Sequence, residues 1–422
     1  MDDRKSPPRW LEHGARHVWR PYAQMKTAPA PLPVVRTEGV RLHLADGRVL
    51  LDGVASWWTA CHGYNHPHII AAMRAQLEIM PHVMLGGLAH EQAYRLAARL
   101  AALLPGDLDH VFFAESGSVA VEIAMKMAVQ YHLNRGARGR TKFVSFRGGY
   151  HGDTIATMSV CDPDEGMHAL FAGALPEQHI ADLPRDENGE AALDALLARH
   201  DDVAAILVEP LVQGAGGMLF HDAEVLRRLR RLADAHGVLL IFDEIFTGFG
   251  RTGTLFAMQQ AGVEPDIVTL SKALTGGAAP LSAAIASKRV FEAFLNDDPM
   301  HALMHGPTYM GHALGCAAAN ASLDIFDRNA WQADVARIAA RLEEGLAPCL
   351  GLPGVADVRV KGAIGVVELE KAPDIGALTR RFVEQGVWIR PFNKIVYLTP
   401  AFVTTDDELA QLTRAIHVAL SR

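Results

Sequence analysis

The middle of the chain repeats one pattern that sharply limits its architecture: short β-rich runs at Lys142–Phe146, Ala204–Val208, Val238–Phe242 and Ile267–Leu270, with helical stretches between them. Runs of this length without polar alternation read as strands buried on both faces. Such strands need helices over each face, so the pattern predicts an α/β fold around a mainly parallel sheet. Helices are expected at roughly 116–134 and 222–236. The first opens with Ser116-Gly117-Ser118 and has Glu122 behind them, a capping signature whose unpaired N–H groups could hold an anion. Its stripe Val121, Ala124, Met125, Ala128, Val129 has helical spacing and reads as core. Beyond about 320 the chain changes to amphipathic helices near 331–346 and 406–420, around Val355–Val360, Ile364–Leu369 and Ile395–Leu398. The expected organisation is an N-terminal arm and part of a small domain over 1–60, a large domain over 61–320 and the rest of the small α+β domain over 321–422. Residues 1–36, with six prolines and Trp10, Trp19 and Tyr22, are too irregular for a helix and too aromatic for a solvated tail, so this arm is expected to pack on a surface.

Half of the residues are hydrophobic and 21% charged, enough to bury a large core. A net charge of −8 argues against nucleic acid, whose binders carry a basic patch. The cysteines, Cys61, Cys161, Cys316 and Cys349, are widely spaced without a C-x-x-C pair, as in a reducing compartment. The first residues lack the apolar core of a secretory signal, and no run reaches the ~18 apolar residues of a membrane span. The expectation is a cytoplasmic protein with small-molecule partners and no membrane contact.

The chemistry concentrates between 238 and 277. One apolar run ends in Asp243-Glu244, and the next ends in Ser271-Lys272 followed by Thr275-Gly276-Gly277. Carboxylates at the carboxyl ends of strands sit where α/β sheets bind ligands. If the two strands are neighbours, an amine emerges beside that carboxylate. A lysine at an apolar mouth loses its proton readily and can form a Schiff base with an aldehyde. Pyridoxal phosphate needs such a lysine, and an acid on its ring nitrogen. Lys272 and Asp243 supply both, Gly117 and Ser118 offer a phosphate cradle, and Tyr150 in Gly148-Gly149-Tyr150-His151-Gly152-Asp153 is an aromatic that could approach the ring.

These residues resemble the class III pyridoxal-phosphate aminotransferases, through Asp243-Glu244, Thr247-Gly248-Phe249-Gly250-Arg251-Thr252-Gly253, Pro265-Asp266 and Ser271-Lys272. A narrower resemblance, to the biotin-pathway branch of that family, rests on Ser56-Trp57-Trp58, the run from His62 to Pro67, Ser116–Glu122, Gly148–Thr154, Glu209-Pro210 with Gln213–Met218, Met304–Thr308 and Gly386–Pro391. It covers the chain from about Tyr22 to the C-terminus. The tryptophan pair, His305-Gly306-Pro307-Thr308 and Trp388-Ile389-Arg390-Pro391-Phe392 are the most specific signals. The Asp…Lys pair and the glycine run fit other ω-aminotransferases equally.

The resemblance implies fold type I of the pyridoxal-phosphate enzymes and a homodimer with shared active sites. Lys272 would carry the cofactor, Asp243 would bind its pyridinium nitrogen and Tyr150 would lie by the ring, also facing substrate. Gly117 and Ser118 would hold the phosphate, approached by the partner subunit's Pro307 and the partner subunit's Thr308. Gly306 would line the substrate site, Arg390 would bind a substrate carboxylate, and Tyr22, Trp57 and Trp58 would form its wall, with Asp153 and Arg251 as secondary candidates. The implied donor is S-adenosylmethionine, with lysine or another amine as the alternative, and the implied acceptor is 7-keto-8-aminopelargonate, giving 7,8-diaminopelargonate. A planar guanidinium suits a carboxylate at the end of a long apolar chain, and aromatic faces suit a sulfonium cation carrying adenine. Two departures stand out, Phe246 where a small residue is expected and Asn393 where glycine is expected.

Rival readings are weaker. Gly248-x-Gly250-x-x-Gly253 with Asp266 formally fits a dinucleotide fingerprint, but Asp266 precedes an apolar run instead of ending one, and Lys272 would be unexplained. A non-catalytic cofactor-binding protein would have no use for Arg390 or the tryptophan pair. Among the histidines, His62, His66, His68, His82 and His90 show no metal-binding spacing, so no metal is expected.

Overall fold

Among the described residues, seven strands make the central sheet: β1 (Leu108–Ala114), β2 (Lys142–Phe146), β3 (His179–Ala181), β4 (Val203–Val208), β5 (Leu239–Asp243), β6 (Ile267–Leu270) and β7 (Ser282–Ser287). They lie in the order β1-β7-β6-β5-β4-β2-β3. Only β7 runs against the others, pairing antiparallel with both β6 and β1. The computed structural model describes residues 7–164, 168–171, 173–328 and 330–421. This sheet belongs to a compact unit, Pro67–Gln332, and a second unit is built from the chain before and after it.

Every residue of β4, β5 and β6 is buried, the signature of a sheet covered on both faces. The helix Gly117–Asn134 covers one face through the expected stripe, with Val121, Ala124, Met125 and Ala128 buried and Val129 packed beside them against Leu207, Ile241 and Ile267. The helix Ala223–His236 starts on the Asp222 cap and stops at Gly237, which adopts φ +62° as a C-terminal cap. The helix Ala313–Arg328 also belongs to this unit: Ala318, Ala321 and Ile325 cluster with Ile69, carrying the unit past 320 to Gln332. All four cysteines are buried. Among the described residues, no helix is long and apolar enough to cross a membrane.

In the other unit, Val355–Lys361, Ile364–Leu369 and Ile395–Leu398 form an antiparallel sheet. A second sheet joins the two chain ends: Val34–Glu38, Arg41–Leu44 and Val49–Asp52 continue into Val387–Trp388, with Val387 paired to Leu51 and Trp388 to Asp52. One part of the arm is helical where irregular structure was expected: Arg9–Gly14 is a short helix after Pro8. Pro8 occupies the N-cap, where its missing N–H removes no bond of the helix.

The segment after Val49–Asp52 is the most strained part of this unit. Ala55, Ser56, Trp57 and Trp58 all have positive φ, between 44° and 71°, and form a left-handed turn closed by Trp58 N–H to the Val54 carbonyl at 2.9 Å. A left-handed non-glycine residue costs about 1–2 kcal/mol, so four in a row need an external hold. Asp52 provides it: its carboxylate accepts from the N–H of Val54 at 2.8 Å, the N–H of Ser56 at 2.9 Å and the Tyr64 hydroxyl at 2.6 Å. Burial raises the pKa of Asp52 and, with the Asp52 charge, that of Tyr64.

Replacing Asp52 with Ala orphans these donors and is expected to cost about 2–4 kcal/mol. The denaturant midpoint should fall, and the near-ultraviolet circular dichroism of Trp57 and Trp58 should weaken as the turn relaxes. An Asp52→Ala protein with wild-type midpoint and spectrum would remove Asp52 as the anchor.

Candidate active site

Five strand ends converge in the large unit. β1 leads to Ser116-Gly117-Ser118, β2 to the glycine loop with Tyr150, β4 to Glu209, β5 ends on Asp243 and β6 leads to Lys272. β2, β4, β5 and β6 are parallel, and β1, antiparallel to the reversed β7, shares their direction, so all five groups lie at one carboxyl edge, where such sheets bind ligands. The neighbour condition set by the sequence is met: β5 and β6 pair directly, with Asp243 in register with Thr269, three residues before Lys272.

Asp243 is 4% exposed and fixed from three sides. Its Oδ2 lies 2.8 Å from His151 Nδ1, and its Oδ1 accepts from the Thr269 hydroxyl at 3.1 Å and the Ile245 N–H at 3.1 Å. A carboxylate has about four acceptor sites, so one stays available to a donor such as a pyridinium N–H. Glu209 is buried beside it and accepts from the N–H of Tyr150 at 2.9 Å and of Gly214 at 2.8 Å. Burial, opposed by His151 and reinforced by Asp243, pushes Glu209 up to about 7.

Lys272 opens a short 3₁₀ turn, Lys272–Thr275, at φ +44°. Strain of this kind in a non-glycine residue persists where the surroundings over-determine it, and clusters at functional sites. Desolvation lowers its pKa against the opposing pull of Asp243 and Glu209. The amine is thereby biased toward the neutral form that a nucleophile or general base requires.

The helix Gly117–Asn134 has 18 residues and presents its N-terminus to the same edge. Its cap Ser116 accepts from Val119 N–H at 3.4 Å, leaving the N–H groups of Gly117 and Ser118 without an acceptor among the described residues. Gly152, at φ +130°, passes so close to Ser118 that a Cβ there would overlap its side chain. The Ser118 hydroxyl accepts from Asp153 N–H at 3.3 Å. Two open N–H groups, a hydroxyl and a helix dipole fit a phosphate. With the acceptor site left on Asp243 and the half-buried amine, the residues present fit pyridoxal phosphate.

Tyr150 lies on the same loop. Its hydroxyl donates to Asp153 Oδ1 at 2.9 Å, and its ring stacks on His168 with centroids 6.1 Å apart. Gly306, Pro307 and Thr308 sit on a loop tied to its surroundings by Lys126, which donates to the Met304 carbonyl at 2.6 Å, and by His82, bonded to the Thr308 carbonyl at 3.0 Å. Among the described residues, no hydrogen bond joins this loop to Gly117 or Ser118.

The remaining candidates belong to the other unit. The Arg390 guanidinium lies 4.4 Å from the centroid of the Trp57 ring, a stacked cation–π pair, and Tyr22 meets Trp57 edge-on at 6.3 Å. Trp58 is buried and tilts onto Tyr397 at 6.1 Å. Burial lowers the pKa of Arg390.

Sequence reasoning missed His151, Glu209 and Thr269 as the support of Asp243 and the loop, although His151 and Glu209 fell within quoted motifs. The residue following Tyr150 and the first residue after an apolar run were the available signals. Arg251 is almost fully buried within the large unit. Phe246 packs against Gly214, where a Cβ would meet its ring at 2.6 Å. Asn393 has φ +45°, which accounts for the expected glycine, and asparagine is among the few residues that tolerate that conformation. The dinucleotide reading fails on structure. Only the four-residue helix Met258–Ala261 follows the glycine run, and Asp266 is taken by Arg230, Arg289 and the Leu240 N–H.

A family model for class-III aminotransferases matches residues 22–420. Adenosylmethionine-8-amino-7-oxononanoate aminotransferase of Corynebacterium glutamicum is 46% identical over 98% of this chain and 98% of its own, and the Saccharomyces cerevisiae protein of that name is 36% identical over 96% and 94%. Among solved structures, the enzyme of that name from Methanocaldococcus jannaschii superposes with a TM-score of 0.93 at 32% identity, covering 97% of this chain and 98% of that one. An amine transaminase from an uncultivated Pseudomonas species, in a PLP-bound form, gives 0.88 at 33% identity over 96% and 98%.

Glu244, beside Asp243, yields a pH test. It is fully buried, accepts from the N–H of Ala257 at 2.7 Å and of Met258 at 2.8 Å, and burial pushes it from 4.5 up to about 7. Between those values the unfolded chain has lost the proton while the folded chain keeps it, so stability falls as pH rises through the window and then levels off. The shift corresponds to about 3 kcal/mol. Glu244→Gln escapes this loss, so its stability relative to wild type should improve by up to that amount from the acid to the neutral end. Urea midpoints across the window would read it, and a pH-independent difference would refute it.

Proposed function

The chain belongs to the class-III aminotransferases, and from that premise we propose that it transfers the amino group of S-adenosylmethionine to 8-amino-7-oxononanoate, also called 7-keto-8-aminopelargonate. The product would be 7,8-diaminopelargonate, a step of biotin synthesis in the cytoplasm, with pyridoxal 5'-phosphate as cofactor. The observation that carries the substrate assignment is the 46% identity, over nearly the full length of both chains, to a relative named for that reaction. The reaction type is supported by the half-buried Lys272 at the strand edge it shares with Asp243.

Pyridoxal phosphate, when bound, supplies an electrophilic aldehyde and a ring that stores the electrons of a substrate C–H bond. Gly117 and Ser118 would hold its phosphate, and Asp243, oriented by His151 and Thr269, would keep a proton on the ring nitrogen. Tyr150 would flank the ring. Lys272 Nζ would take the proton from the donor's carbon and later return one to the acceptor's carbon, a shuttle suited to an amine of lowered pKa. Arg390 would bind the acceptor's carboxylate, with Tyr22, Trp57 and Trp58 lining its chain. Gly306 would line the same substrate site, and the partner subunit's Pro307 and the partner subunit's Thr308 would complete the phosphate site in a homodimer. The alternative donor, lysine or another amine, draws support from the similarity to an amine transaminase.

The deciding experiment follows the cofactor's yellow band in the purified holoenzyme. S-adenosylmethionine alone should bleach it, and 8-amino-7-oxononanoate should restore it. Bleaching only by lysine or a simple amine would replace the donor, and a protein that takes up no pyridoxal phosphate would overturn the reading. Arg390→Ala should raise KM for the acceptor roughly tenfold to a hundredfold, the worth of a charge-assisted hydrogen bond, with a smaller change in kcat. An unchanged acceptor KM would withdraw the carboxylate assignment.

A further inference from the structure

The opposite edge of the central sheet carries a second cluster that the transamination machinery does not use. His179 is the first residue of β3, His200 caps the C-terminus of the helix Glu187–Arg199, and Asp202 immediately precedes β4. All three therefore lie at the amino-terminal edge of parallel strands, away from Lys272. His200 and Asp202 are near neighbours in sequence, His179 lies well before them, and the return of the chain from helix to strand brings the three together.

The geometry is that of a ligand set. His179 Nε2 lies 2.9 Å from Asp202 Oδ1, the His179 and His200 rings are 4.2 Å apart, and one ligand atom from each residue falls within 4.8 Å of the others. Lys142, at the start of β2, approaches Asp202 at 3.4 Å. A surface ion pair would account for His179, Asp202 and Lys142, but it gives no reason for His200 to lie against them, its ring tilted over that of His179. Two imidazoles and a carboxylate match the nitrogen and oxygen ligands of a first-row divalent cation, whereas magnesium and calcium favour oxygen alone. Metal–ligand bonds of about 2.0–2.2 Å set ligand atoms roughly 3.4 Å apart in a tetrahedron. The His179–Asp202 pair is already that close, and His200, which is exposed, can close the remaining gap by side-chain rotation. The ion pair with Lys142 is partly exposed and correspondingly weak, so its side chain can yield to a dication.

We propose that His179, His200 and Asp202 form a zinc-class divalent metal site with a fourth position open to water. A cation there ties β3, the end of the helix Glu187–Arg199 and the entry to β4 to one point. The site is independent of the aminotransferase assignment.

The test titrates zinc ions into untagged holoenzyme against a chromophoric chelator, comparing wild type with His200→Ala and with Asp202→Asn. Wild type should bind one equivalent more tightly than either variant, by about tenfold or more, and its melting temperature should rise with zinc more than theirs. Transamination measured without zinc should be the same in all three proteins. Equal zinc stoichiometry and affinity in wild type and both variants, or no zinc bound by wild type, would overturn the site.

Discussion

Burying a carboxylate is costly unless its oxygens are satisfied, and the end of β5 is built around that requirement. Asp243 accepts from His151, Thr269 and a backbone N–H, each from a different segment, and keeps one acceptor site open. Those bonds hold β5 to β6, and hold the loop after β2 over both. Glu209 repeats the device one strand away, collecting the N–H groups of Tyr150 and Gly214. The glycine loop therefore keeps its course because two buried acids accept its donors, and the helix N-terminus is fitted to that loop through Ser118 and the bare Gly152. The sheet brings these groups to one edge, and the carboxylates set their orientation.

Strain is concentrated where side chains must be aimed. Lys272 is held at positive φ as the first residue of a tight turn after a fully buried strand. In the other unit, four consecutive left-handed residues present Trp57 to Arg390 and bury Trp58, with Asp52 taking up the free N–H groups of the turn. Both devices follow one logic: an unfavourable backbone is tolerated because neighbouring hydrogen bonds and packing leave no alternative, and the side chain inherits a fixed direction.

The elements with strong local signals were legible in the sequence. Buried strands lack polar alternation, and the ranges 142–146, 267–270, 331–346, 364–369, 395–398 and 406–420 follow directly from apolar periodicity. The juxtaposition of Lys272 and Asp243 was legible on one condition, the adjacency of their strands, which parallel pairing satisfies. The short helix Arg9–Gly14 was not, because proline and aromatic content outweigh six residues of propensity. Nor was the left-handed turn at 55–58, since nothing in Ala-Ser-Trp-Trp favours positive φ and its cause, Asp52, acts through hydrogen bonds. His151 and Glu209 stood inside recognisable motifs, yet their bonds to Asp243 and to the Tyr150 backbone arise only when β2, β4 and β5 are assembled.

The balance of charge around Lys272 explains how an amine beside two acids can still lose its proton. Two ionised carboxylates would hold the ammonium firmly, since opposite charges within a few ångströms favour each other's ionised forms. Burial, however, pushes Glu209 up to about 7, which weakens that pull near neutral pH. The charge on Asp243 is shared among His151, the Thr269 hydroxyl and the Ile245 N–H. Desolvation then outweighs the remaining attraction and lowers the lysine's pKa. The same burial raises the pKa of the acid and lowers that of the amine, so a single physical cause biases both groups toward their neutral forms, the direction that a proton shuttle at this edge requires.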